Sequence, residues 1–62
     1  MLVKRYTVHV PDHMDAVFAS DHYSPAMTEA YRLATEQDPD LKATSAWVID
    51  QYSGLCVYHW SN

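Results

Sequence analysis

This 62-residue chain has one cysteine, one glycine and three prolines, and only four lysines and arginines in total. Each scarcity excludes something. With Cys56 alone there is no internal disulfide and no zinc site built on several thiolates. With Gly54 alone there is no glycine-rich loop to cradle a phosphate. Four bases against eight acids give a net charge of −4, the wrong sign for a nucleic-acid or anionic-membrane binder. No run approaches the ~18 apolar residues of a membrane span, and the N-terminal Met1–Tyr6 has no apolar leader core.

What remains is 48% hydrophobic and 19% charged, including five tyrosines and two tryptophans. That describes one small α+β domain over residues 1–62. A chain of this size buries only about 60% of the surface it exposes when unfolded, so a stability of a few kcal/mol and self-association as extra burial are expected. A domain held without disulfides fits a reducing cytoplasm, a host's cytoplasm if the chain is viral. Beginning at Met1 and running straight into strand-like sequence, it reads as a complete small gene product.

Period-two alternation over 2–10 predicts a half-buried strand, with Tyr6, Val8 and Val10 on one side and Arg5, Thr7 and His9 on the other. Pro11 and Asp12 interrupt it. Residues 16–20 form a second strand candidate, making a hairpin with a five-residue loop. Ser24-Pro25 predicts a helix over about 25–37, with Ser24 as N-cap and Pro25 in the first helical position. Ala26, Met27, Ala30, Tyr31, Leu33 and Ala34 make its apolar stripe; Glu29 and Arg32 pair on its outer side, and Asp38-Pro39-Asp40 ends it. Residues 43–51 and 55–60 form a second hairpin, its first strand apolar on both faces and therefore central. Gly54 takes the left-handed turn position. The expected fold is a two-layer α+β domain: four mainly antiparallel strands and one helix, in the order ββαββ.

One helix covers one face of such a sheet and leaves the other open. Strict alternation places Cys56, Tyr58 and Trp60 together and Leu55, Val57 and His59 opposite. Tyr58 and Trp60 are therefore candidate partner-binding residues, and a homodimer is one way to cover them. The simpler alternative is rings packed sideways with their polar tips in water.

Catalysis has little to stand on. Cys56 and His59 fall on opposite faces under alternation, with no group to orient the histidine. His9, Asp12, His13, Asp15, Asp21 and His22 are metal-ligand types, but Pro11 prevents the helix that would align His9 with His13, and a solvated loop explains the cluster. No enzyme activity, cofactor or metal is expected.

The charge layout is more informative. Asp12, Asp15, Asp21, Glu29, Glu36, Asp38 and Asp40 face Arg32 as the only base between residues 12 and 40. A solubilising surface accounts for this; an acidic stripe that meets a host protein with a basic surface, without direct nucleic-acid or membrane contact, accounts for it more sharply.

The stretch from Ser24-Pro25-Ala26-Met27-Thr28-Glu29-Ala30 to Ala34, followed by Trp47-Val48-Ile49-Asp50 and Gly54-Leu55, resembles in its organisation the anti-CRISPR proteins and related small inhibitors of phages and mobile elements. The resemblance implies a stoichiometric inhibitor of a nucleic-acid-handling protein, with mimicry of nucleic acid as one means. Tyr6-Thr7-Val8-His9-Val10-Pro11-Asp12, then Phe18 and a helix containing Glu29-Ala30, is similar to HicB-type antitoxin domains. That likeness implies a small oligomerising interaction module instead.

Overall fold

A computed structural model describes residues 4–36 and 44–61. Its elements follow the expected order: β1 (Tyr6–His9), β2 (Phe18–Ser20), α1 (Tyr23–Glu36), β3 (Ser45–Asp50) and β4 (Leu55–Ser61). The strands form one antiparallel sheet in the spatial order β2-β1-β3-β4, with α1 packed on one face. The chain is a ββαββ α+β fold, with β3 central as its two apolar faces indicate.

The core is built from small side chains. Val8 and Val10 from the first strand and its exit, Ala46 and Val48 from β3, and Ala26, Ala30, Leu33 and Ala34 from the helix are buried together. Ala26, Ala30 and Ala34 recur at every fourth residue, so one side of the helix carries only methyl groups and lies close against the sheet. Larger side chains border this seam: Phe18 on the β2 side, Tyr58 and Trp60 on the β4 side, and Tyr6 at one end. Met27 is only half-buried and Tyr31 is half exposed. The ring of Tyr31 meets Trp60 edge-on, with centroids 5.5 Å apart.

Three local expectations are corrected. The helix starts at Tyr23, two residues early, so Ser24 lies inside it and does not cap it. Instead, Ser20 Oγ accepts the His22 backbone N–H at 3.1 Å, and Tyr23 packs edge-on against Tyr6 at 5.7 Å. Pro25 still falls in the first turn, where backbone donors have no helical acceptor. The first hairpin connection is longer than five residues, because β1 ends at His9 and β2 begins only at Phe18. Asp12 takes a left-handed φ of 67° beside Pro11, which cannot donate to a ladder, and Val17 N–H closes the turn on Val8 C=O at 2.9 Å.

The third correction concerns β4. The register pairs Val48 with Tyr58 but Ile49 with Cys56, so Val57 is an extra, bulged residue. Directly opposed residues share a face. Tyr58 and Trp60, opposite Val48 and Ala46, therefore face the helix. Cys56 and His59, opposite Ile49 and Trp47, both lie on the open face. Strict alternation fails there because one inserted residue reverses the parity of everything beyond it. Gly54 does take the left-handed conformation, at φ 76°, and donates to Asp50 C=O at 2.7 Å.

Candidate binding surfaces

Most of the described acids have basic partners. Lys4 Nζ lies 3.2 Å from Asp21 Oδ2, with both side chains largely in water. That hydrogen bond, with the Arg5 N–H assisting, holds the Asp21 carboxyl below its usual range. Arg32 grips Glu29 through two bonds of 3.0 and 2.6 Å and reaches Glu36 at 3.5 Å. The two carboxylates raise the guanidinium pKa above its ordinary value, Glu29 most. Asp12 and Asp15 are exposed on the β1–β2 connection, with no ion pair among the described residues. Asp38 and Asp40 lie outside the described residues.

Topology also divides these acids. β2 carries the chain back to the sheet end where β1 begins, placing Asp21 there beside Lys4. The helix then crosses the sheet and ends with Glu36 at the same end as the Asp12–Asp15 connection. The described acids thus form two end groups and a paired helix surface instead of one unpaired stripe. His13 and His22 are likewise at opposite ends of the first hairpin, so that hairpin does not gather a metal-ligand set. Among the described residues no three His, Cys, Asp or Glu side chains cluster as ligands.

Tyr58 and Trp60, the aromatic candidates, are half-buried beneath the flank of α1. Burial, with Tyr23 and Tyr31 nearby, pushes the Tyr58 hydroxyl above its ordinary pKa. The open face has a different composition. Across three neighbouring strands the register aligns His9, Trp47 and His59 in one row. His9 stacks on Trp47 with centroids 6.2 Å apart and planes 15° from parallel. Beside them, Gln51 Nε2 donates to Thr7 Oγ1 at 2.8 Å, and Thr7 Oγ1 is hydrogen-bonded to His9 Nε2 at 2.8 Å. Ile49 lies opposite Thr7, and Ala19 opposite Thr7 on the other side.

This face holds no carboxylate among the described paired residues: Asp50 points the other way, in step with Ala46 and Val48. Trp47 and Ile49 are half-buried with no described element over them. Sequence alternation reveals that Trp47 and Ile49 share a face, but the row with His9 and His59 depends on strand order and on the bulge. Cys56 is exposed, and its thiol donates to Tyr58 C=O at 3.3 Å, so the histidine three residues on does not hold it. No enclosed cavity occurs among the described residues, and none of their helices is long and apolar enough to cross a membrane. No protein-family model matches the chain, and neither a curated protein nor a solved structure does.

Proposed function

We propose that this protein acts by binding, as a non-enzymatic, stoichiometric ligand of another protein, and that the open sheet face makes the contact. The observation that carries this reading is Trp47 and Ile49 on a central strand, with no described element over them and no carboxylate beside them among the described paired residues. Interface centres favour aromatic residues and exclude charge. The occupant is a neutral, apolar protein surface, whose approach is not opposed by the described acids because these lie at the sheet ends and along the helix.

A second reading keeps the acidic contact. Asp12 and Asp15 are exposed and lack an ion pair among the described residues, which suits the basic surface of a host nucleic-acid-handling protein. The resemblance in organisation to small phage inhibitors, read from the sequence, is what suggests that class of partner. The two readings separate in one experiment, a comparative capture by wild type, Trp47→Asp, and the double variant Asp12→Asn/Asp15→Asn. A partner lost with Trp47→Asp and kept by the double variant supports the sheet face. The reverse pattern overturns it in favour of the acidic contact, provided circular dichroism shows both variants folded.

A further inference from the structure

The two edges of the sheet are unlike. β2 is three residues long, and just past it the Asp21 carboxylate is engaged by Lys4 and by the Arg5 N–H. Short length and flanking charge are the usual means of blunting an edge. β4 has neither. It is the longest described strand, seven residues without a charge or a proline, in a chain whose net charge is −4. Its bulge at Val57 disrupts the upstream half, but Tyr58, His59, Trp60 and Ser61 run in regular register with β3. Alternate backbone N–H and C=O groups of an edge strand point away from its neighbour, so this stretch offers a ladder to a further strand. One acceptor there, Tyr58 C=O, receives the weak Cys56 thiol donor.

We propose that Tyr58–Ser61 is a self-pairing edge, through which two copies of this chain join β4 to β4 antiparallel and form one eight-stranded sheet. Downstream of the bulge this edge is open to an extended strand, and antiparallel pairing about a two-fold axis makes a strand complementary to itself. The charge distribution selects the same contact. Two chains of −4 repel through their helix surfaces and acidic ends, whereas β4 brings no charge to the junction. Parity selects the register. Keeping both helices on one side requires like faces to oppose, and centring on His59 keeps Tyr58, His59 and Trp60 clear of the bulge, with only Ser61 meeting the bulged Val57. His59 then faces its own copy on the open side, and Tyr58 faces Trp60 of the second copy on the helix side. Aromatic pairs of that kind stabilise neighbouring strands.

The pairing has a consequence that rests on the sheet-face reading above. Four strands of four, three, six and seven residues, ~4.8 Å apart, present a footprint of only about 300 Å². Two joined sheets present about 650 Å², much nearer the ~800 Å² that one partner usually contributes to a stable interface.

The test uses purified chain alone, so its failure is distinct from failure of the sheet-face contact. Sedimentation should show a monomer–dimer equilibrium. In a Cys56→Ser background, His59→Cys should form a disulfide dimer on mild oxidation, because opposed residues have Cα spacings a disulfide spans. Ala19→Cys, exposed on the other edge, should crosslink much more slowly. His59→Lys and His59→Glu should each weaken dimerisation about fivefold, and mixing the two should restore it, since opposed like charges repel and unlike charges attract. A strict monomer at high concentration, equal crosslinking at both edges, or no recovery on mixing would each overturn the proposal. Circular dichroism checks that every variant folds.

Discussion

The Arg5 guanidinium meets the Asp50 carboxylate through two bonds of 3.2 Å, Nε to Oδ1 and the terminal nitrogen to Oδ2, across 45 residues of sequence. The same guanidinium lies over the rings of Tyr6 and Tyr52, at 5.1 and 4.8 Å. Asp50 also accepts the Tyr52 N–H at 3.0 Å, and Gln51 N–H donates to Arg5 C=O at 2.7 Å. The arrangement ties the start of β1 to the end of β3 and to the turn that launches β4. A two-pronged pair of this kind fixes direction as well as distance, so it sets the β1–β3 register in which His9 meets Trp47.

The pair makes stability depend on acid. The Arg5 hydrogen bond, chiefly, holds the Asp50 carboxyl below its ordinary 3.8 against the opposing effect of desolvation. A carboxyl with a lowered folded pKa contributes stability that is present above its unfolded value and is lost as pH falls through the folded one. Asp21 shifts in the same direction through Lys4. The urea midpoint of the wild type should therefore fall as pH drops below about 4. Asp50→Asn should lower the midpoint at neutral pH and flatten that acid dependence, as read from urea titrations at stepped pH.

Leu33 is the largest side chain the helix buries, at 2% exposure, among alanines and valines too small to fill its place. Leu33→Ala should cost about 2–5 kcal/mol, as much as a domain this small has in reserve. The expected result is a chain largely unfolded at room temperature by circular dichroism.

Gly54 has open space where a Cβ would stand, so only its φ of 76° opposes substitution. Gly54→Ala should destabilise by about 1–2 kcal/mol. Gly54→Asn should cost less, because asparagine tolerates the left-handed region. Thermal melts of the two variants give the comparison directly.

Reversing acids should have position-dependent effects. Glu29→Lys with Glu36→Lys replaces two ion pairs of Arg32 by like-charge contacts, so the helix should lose thermal stability. Asp12→Asn with Asp15→Asn removes charges that have no ion pair among the described residues, and the melting temperature should change little. If the acidic end meets a basic partner, that second variant should slow association and reduce its dependence on salt, since exposed charges act chiefly on the on-rate. Stopped-flow association at two salt concentrations measures both.

Several features are readable from sequence because they depend on neighbours along the chain. The alanine stripe at helical spacing, the two-sided apolar character of Trp47–Ile49 and the lone glycine in a hairpin turn each carry a local physical requirement. They suffice for the element order, the antiparallel hairpins and the identity of the central strand. Charge layout is equally plain as a list of acids. It does not show that Arg32 engages Glu29 and Glu36, or that Lys4 takes Asp21.

Tertiary structure decided where those residues meet. The helix began at Tyr23 because Ser20, His22 and Tyr6 offered contacts that outweigh the local capping preference of Ser24. The bulge at Val57 turned Tyr58 and Trp60 toward the helix and Cys56 toward the open face, and no property of Val57 itself announces it. Hydropathy and spacing along a strand report which residues alternate. Which parity faces the core is determined by packing against another element, and one inserted residue reverses it. For that reason the sequence alone determines a ββαββ domain with one helix on one face, and only the packed sheet decides that the face away from the helix carries His9, Trp47 and His59.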